Sequence, residues 1–210
     1  MIRILIADDH AVVRQGIRQV LALAADFQVT DEAKDGWEVV DKLRGGGFDL
    51  LLTDMSMPGP NGVDLIKRVR DEHAKLPVLV LSMHGESQIA ARALKAGASG
   101  YITKDSEPTL LIAAVRKVAG GGRYIDPTLA EKLVFETSVI GDGLPHEQLS
   151  DREFQVFLMI AQGRSLNDIA EELHLSPKTV STHKMRLMQK LGAQSTSDLV
   201  RYALTHGLAN

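Results

Sequence analysis

The sequence predicts two domains: an α/β domain on a doubly wound, five-stranded parallel sheet, then a small all-α domain of four short helices. Three observations carry this reading. Over the first ~120 residues, strand-like apolar runs alternate five times with segments of helical periodicity, the pattern of a parallel sheet with helical crossovers. Several of those runs are unbroken apolar stretches, as a sheet covered on both faces requires. From Leu149 onward the pattern is wholly helical and is punctuated by capping residues.

The predicted strands are Ile2–Ala7, Val29–Ala33, Leu50–Thr53, Val78–Ser82 and Gly100–Thr103. Between and after them, helical spacing covers Val12–Leu23, Trp37–Leu43, Val63–Asp71, Gln88–Lys95 and Thr109–Ala119. In 120-GGGRYIDP-127 three glycines stop the last of these helices and a proline can open another. Thr128–Glu136 reads as a short amphipathic helix and 138-SVIGDGLPHEQ-148 as a flexible connection. Ser150 with Glu153 forms a capping box ahead of Phe154–Gln162, and Gly163 ends that helix. Leu166–Leu173 follows, Ser176-Pro177 opens a helix to Leu191, Gly192 stops it, and Thr196–Thr205 is the last. The expected domains are therefore 1–120, a linker with a short helix over 121–148, and 149–210.

Composition narrows the function classes. The 210 residues include no cysteine, which excludes disulfides and thiolate metal sites and fits a reducing compartment. No apolar run approaches a membrane span, and 1-MIRILIA-7 is too short for a signal peptide, so a soluble, cytoplasmic protein with no membrane partner is expected. The formal net charge of −3 conceals an uneven distribution. Residues 1–125 hold 16 acids and 16 bases, and 126–176 hold 10 acids against three bases, but 177–190 carries Lys178, Lys184, Arg186 and Lys190 with no acid.

Asp8 and Asp9 follow the first predicted strand, Asp54 ends the third, Ser82 ends the fourth and Lys104 lies just past the fifth. In a parallel sheet all these groups share one edge, the edge beyond the carboxyl ends where ligands bind. Singly, each is more often a helix cap or a solvated charge. Together, three crowded carboxylates repel one another unless a cation neutralises them, and oxygen ligands of this kind favour Mg²⁺. Asp54 can then attack a phosphoryl group while Lys104 and the Ser82 hydroxyl hold the transferred oxygens, giving an aspartyl phosphate.

Asp8-Asp9, the Asp54-x-x-Met57-Pro58 turn with Gly62, Ser82, and Lys104 after 101-YIT-103 resemble the receiver domain of two-component response regulators over roughly residues 1–120. The resemblance implies a flavodoxin-like sheet of order 2-1-3-4-5 and phosphorylation of Asp54 by a sensor histidine kinase. It also implies Mg²⁺ held by Asp8, Asp9, Asp54 and the Ser56 backbone carbonyl, with Ser82 and Tyr101 as the residues that reorganise.

The four-helix tail could be a dimerisation bundle, an adaptor or a nucleic-acid reader. Its second and third helices meet at 174-HLSP-177, a turn of helix-turn-helix length. At 100° per residue Val180, Leu187 and Leu191 share an inward face; Lys178, Ser181, Thr182, Met185 and Gln189 form the opposite stripe. Thr179, His183, Arg186 and Lys190 flank that stripe on one side and Lys184 on the other. A stripe entering a DNA major groove, with phosphates at its flanks and N-terminus, fits this pattern, whereas a solvated helix would not exclude acids. Residues 149–208 resemble the LuxR-type helix-turn-helix, and with the receiver the chain resembles NarL/FixJ response regulators.

That resemblance implies a structural role for Glu153. It puts Lys178, Thr179 and Lys190 near phosphates, Ser181, Thr182 and Met185 toward base edges, and a dimer contact at Leu199, Val200 and Ala203. Members often carry a long basic side chain at a base-facing position, where this sequence has Ser181, Thr182 and Met185, so specificity would lean on Lys178, Arg186, DNA shape or dimer spacing. The expected function is a phosphorylation-controlled transcription regulator, not an enzyme. Its expected partners are double-stranded promoter DNA, a sensor histidine kinase and a second copy of itself, with RNA polymerase a further candidate. Two other classes share some of these features: a Mg²⁺-dependent phosphatase with an Asp nucleophile, and a DNA-binding or adaptor protein that ignores phosphorylation.

Overall fold

The computed structural model describes residues 1–60, 62–83, 87–131, 133, 144–173 and 175–208. The chain divides into two compact units, Met1–Val134 and Phe135–Asn210. Among the described residues no helix is long and apolar enough to cross a membrane.

In the first unit, β1 (Ile2–Ala7), β2 (Phe27–Ala33), β3 (Leu50–Asp54), β4 (Val78–Ser82) and β5 (Gly100–Thr103) alternate with five helices. These are α1 (Ala11–Leu21), α2 (Gly36–Gly45), α3 (Gly62–Glu72), α4 (Ser87–Lys95) and α5 (Pro108–Ala119). The strands pair in parallel. Side chains alternate across a strand, so Ile4 and Ile6, Leu50 and Leu52, Leu79 and Leu81 share one face, packed with Ile17 and Leu21 of α1 and Leu111, Val115 and Val118 of α5. Leu5, Leu51, Val80 and Tyr101 alternate with these and are buried as well, which is why the strand runs lack polar residues.

The sheet corrects the expected strand number. It has six strands in the order β2-β1-β3-β4-β5-β6, because Tyr124–Ile125 (β6) pairs in parallel with Gly100 and Tyr101 of β5. Two residues behind a glycine run are too few to show a strand period. The pairing needs Gly100, since a Cβ there would lie 2.8 Å from the Tyr124 carbonyl oxygen and 2.9 Å from Leu79. Residues 127–131 are helical, with Asp126 accepting the Thr128 N–H at 3.0 Å. Leu133 is helical as well; residues 132 and 134–136 of the short helix expected to 136, and residues 138–143 of the expected connection, lie outside the described residues.

In the second unit a 3₁₀ turn, Pro145–Gln148, precedes α7 (Asp151–Ala161), α8 (Leu166–Glu172), α9 (Pro177–Leu191) and α10 (Thr196–Thr205), the 127–131 segment being α6. The Ser150/Glu153 capping box is present, and Ser165/Asp168 and Ser195/Asp198 form two more. Ser176 caps α9 by accepting the Thr179 N–H, Pro177 stands in its first turn, and Gly192 ends it in the left-handed conformation at φ 65°. Helices α7 and α8 pack against α9, whose Val180 and Leu187 are fully buried, and α10 packs on α7. Leu191, expected on that inward face, is only half-buried at the helix end.

Candidate functional site

Register positions the acidic site. Ala7 of β1 pairs with Thr53 of β3, so the next residues, Asp8 and Asp54, stand side by side at the carboxyl edge. Ser82 pairs with Thr103, and the Lys104 N–H donates to the Ser82 carbonyl at 2.8 Å, which folds the β5–α5 loop back over the same edge. Asp8 is 1% exposed and Asp54 5%. The Lys104 ammonium lies between them, 2.6 Å from Asp8 Oδ2 and 3.2 Å from Asp54 Oδ1.

Burial alone penalises the Asp54 charge; Lys104 opposes this and the Asp8 charge adds to it, so the carboxyl sits above its ordinary pKa. Burial also works against the Lys104 charge, but the hydrogen bond to Asp8 and the fields of Asp54 and Asp8 outweigh it, and its pKa is raised. Lys104 therefore stays protonated and holds the two buried acids together. Asp54 Oδ1 also accepts the Met55 N–H at 2.8 Å, and Asp8 Oδ1 accepts the His10 N–H at 2.8 Å. These bonds pin one oxygen of each carboxylate.

The loop after Asp54 is clamped from below. Gly36, at the start of α2, donates its N–H to the Pro58 carbonyl at 2.9 Å, and a Cβ on Gly36 would stand 1.7 Å from the Pro60 carbonyl oxygen. Only glycine permits this approach. Ser56 is exposed at the rim, Ser82 is buried at the end of β4, and Tyr101 is fully buried in β5.

Asp9 lies beside Asp8 in the turn after β1. Its carboxylate is turned to His10, 2.8 Å from Nδ1, and the same nitrogen is 3.4 Å from Asp8 Oδ1. Among the described residues the metal-ligating groups that fall within 4.8 Å of one another are Asp8, Asp9 and His10, without Asp54. His10 joins this group through the run 8-DDH-10, in which it directly follows the two acids. A buried carboxylate beside a solvent-facing one, with Asp54 next to the first, is a donor set that fits a hard divalent cation.

In the second unit the stripe of α9 opposite Val180 and Leu187 is open: Lys178, Ser181 and Gln189 are exposed and Met185 is 64% exposed. Thr182 is half-buried, and its hydroxyl donates to the Lys178 carbonyl at 2.9 Å, leaving its oxygen as an acceptor. The bases divide into two sets. Lys190 Nζ bonds the buried Glu153 carboxylate at 2.6 Å and the Gln148 carbonyl at 3.2 Å, and Lys184 Nζ bonds Thr196 Oγ1 at 2.9 Å. Among the described residues Lys178 and Arg186 form no ion pair and no side-chain hydrogen bond, so their charges face outward unspent.

Burial alone would raise the Glu153 carboxyl. The Lys190 hydrogen bond and the Ser150 N–H and hydroxyl more than offset it, holding the carboxyl below its ordinary range. His183 is half-buried with Nδ1 unpartnered among the described residues; burial, then Arg152 and Arg186 against Glu153, pull its pKa down. It is less available to a ligand than the helical wheel implied.

The expected dimer contact needs correction. Leu199 and Ala203 are fully buried inside the monomer, because they are the face α10 packs on α7; only Val200 of the three reaches the surface. Leu204, 57% exposed, is the large apolar side chain on the outer face.

A buried strand-end acid paired through a lysine to a second acid on a parallel sheet, followed by a capped helix-turn-helix, defines a phosphoreceiver joined to a DNA-binding module. The comparisons agree: residues 4–116 match the response regulator receiver domain and residues 147–203 match the bacterial regulatory proteins of the luxR family. The chain belongs to the response regulators of the NarL/FixJ family. Response regulator UvrY of Escherichia coli (strain K12) is 36% identical over 211 residues, spanning 100% of this chain and 97% of that protein. Among solved structures, RcsB of Salmonella typhimurium is 29% identical with a TM-score of 0.78, covering 98% of each chain. RcsB of Salmonella enterica serovar Typhimurium bound to promoter rprA in the presence of phosphomimetic BeF3⁻ is 30% identical with a TM-score of 0.71, covering 96% of this chain and 97% of that one.

Proposed function

We propose that this protein is a transcription regulator in which Asp54 accepts a phosphoryl group from a sensor histidine kinase and α9 then engages promoter DNA. The observation that carries the reading is the Lys104 ammonium held between Asp8 and Asp54 on the sheet edge. Asp54 Oδ1 is occupied by Lys104 and the Met55 N–H, which leaves Oδ2 to attack phosphorus. The new P–O bond forms as the P–N bond to the donor imidazole breaks, and the imidazole departs with the bonding pair. Lys104 and the Ser82 hydroxyl then hold the phosphoryl oxygens, drawing Lys104 away from Asp8.

Asp8, Asp9, Asp54 and the Ser56 carbonyl would hold Mg²⁺, which when bound neutralises the carboxylates and screens the charge on the incoming phosphate. For DNA, Lys178 and Arg186 supply phosphate contacts, while Ser181, Thr182 and Met185 meet base edges, with Met185 suited to a thymine methyl. That a solved RcsB structure is a promoter complex supports promoter DNA as the ligand of this module, and pairing of two copies on adjacent half-sites supplies the affinity one small reader lacks. The deciding experiment is labelling with acetyl phosphate and Mg²⁺. The native chain takes up one phosphoryl group and Asp54→Asn takes up none; equal labelling of the variant would remove Asp54 as acceptor.

A further inference from the structure

Lys104 owes its place to the turn it stands in. The Ser106 N–H donates to the Thr103 carbonyl at 3.2 Å and closes a turn with Lys104 and Asp105 at its corners, while the Lys104 N–H is held by the Ser82 carbonyl at 2.8 Å. The hydroxyls of Thr103 and Ser106 close the same turn a second time, 2.9 Å apart, and the Ser106 hydroxyl lies 3.4 Å from Asp126 Oδ2. A carboxylate only accepts, so Ser106 donates to Asp126 and Thr103 donates to Ser106. The other oxygen, Asp126 Oδ1, accepts the N–H groups of Thr128 at 3.0 Å and Leu129 at 3.4 Å in the first turn of α6. Capping alone needs one oxygen, and an exposed side chain suffices for it. Asp126 is instead 9% exposed and forms no ion pair among the described residues, so its charge is balanced by three donors from two different elements. Its own N–H donates to the Tyr101 carbonyl at 3.2 Å, which fixes the residue against β5.

We propose that Asp126 is a positioning residue that couples the Lys104 turn to the start of α6, so that phosphorylation of Asp54 loosens α6 and the state of α6 conditions how readily Asp54 is phosphorylated. The inference rests on the proposed function, in which a phosphoryl group on Asp54 draws Lys104 away from Asp8. Thr103 is held in β5, so a displacement of Lys104 is taken up on the other side of the turn, at Ser106. The Ser106–Asp126 bond, at 3.4 Å, is long for a hydroxyl donor, and a small shift of the turn parts it. Without it the Asp126 carboxylate is free to rotate away from the Thr128 and Leu129 amides, which lose their cap. The coupling is reciprocal: a firmly capped α6 holds Ser106, and through it Lys104, in the unphosphorylated arrangement. The first unit ends at Val134, so the coupling acts on the segment through which the chain leads to the second unit.

The test is amide hydrogen exchange of the full-length chain, read at Thr128 and Leu129 and normalised to the amides of β3, which removes any change in global stability. Labelling the native chain with excess acetyl phosphate and Mg²⁺ speeds exchange at both positions by at least about threefold. Ser106→Ala exchanges there at the fast rate before labelling, is labelled on Asp54 at least about threefold more slowly, and gains less than about 1.5-fold further on labelling. Ser106→Thr keeps the hydroxyl and restores the native response. The proposal is overturned by a labelled native chain with no faster exchange at Thr128 and Leu129, by an equal response in Ser106→Ala, or by labelling of Ser106→Ala at the native rate. A second arm needs no phosphate: Lys104→Ala speeds the same two amides in the native background but not in Ser106→Ala. If no label reaches Asp54 while these variants behave as stated, the phosphoacceptor reading fails and the coupling of Lys104 to α6 stands. If Asp54 is labelled and Lys104→Ala leaves Thr128 and Leu129 unmoved, the coupling fails and the phosphoacceptor reading stands.

Discussion

Asp54 and Lys104 interact across a site from which water is largely excluded, so a change to either is felt by the other. Replacing Lys104 with Met leaves Asp8 and Asp54 facing each other without their cation, and the expected loss of receiver stability is about 3–5 kcal/mol. Mg²⁺ should restore part of it. Urea denaturation with and without MgCl₂ measures both quantities, and a loss of the same size in each would mean that the ion and the lysine do not share the site. On α9, two lysines that look alike in sequence are predicted to separate. Lys178→Ala should weaken DNA binding across sequences and reduce the salt slope by about one, because its charge is unspent. Lys190→Ala should lower the domain's stability more than it alters the salt slope, because that ammonium is committed to Glu153.

At the level of elements, the Ser150/Glu153 capping box joins the start of α7 to the end of α9 through Lys190. Glu153→Ala removes a cap and a buried acceptor together, an expected cost of about 1–2 kcal/mol. In a domain of this size that lowers the Tm by several degrees for each kcal/mol, readable by calorimetry. The pH dependence follows in sign. Glu153 and His183 both have folded-state pKa values below their unfolded ones, so each contributes stability that is present above the unfolded value and lost as pH falls. The His183 contribution begins to fade below its ordinary value of 6.5 and that of Glu153 below 4.5, so acid unfolding of this domain should show His183→Asn insensitive to the first step. In the receiver, Gly36→Ala should push the β3–α3 loop out of place, because its Cβ would collide with the Pro60 carbonyl at 1.7 Å. The expected result is slower Asp54 labelling with the sheet intact by circular dichroism.

For the whole molecule, every residue of the acidic pocket lies in Met1–Val134 and every proposed DNA contact lies in Phe135–Asn210. Phosphoacceptance and DNA contact are thus built as separable chemistry, and control must come from coupling between the units. A chain cut near the boundary is predicted to keep full labelling in the first piece. The second piece should bind DNA with an affinity that phosphorylation no longer changes, whereas the intact chain's affinity should respond to it. Fluorescence anisotropy on a selected promoter fragment, with and without acetyl phosphate, separates the two outcomes.

Strand-to-helix alternation, the acids at the strand ends, the lysine after the fifth strand and the bases of α9 were all legible in the sequence, because periodicity and residue type are local properties. So were Ser150, Glu153, Pro177 and Gly192, whose capping roles depend on neighbours a few residues away. The sixth strand was not, since Tyr124–Ile125 becomes a strand only by pairing with Gly100 and Tyr101 more than twenty residues earlier. Nor could periodicity tell which side chains were spent. Leu199 and Ala203 are core because α7 covers them, Lys190 is tied down by Glu153, and Asp9 faces His10 because the turn after β1 brings them together. The sequence alone determined the five strand–helix units, the four tail helices and the chemistry they carry; only the tertiary structure decided the sixth strand and which groups remain available, because both depend on partners distant in the chain.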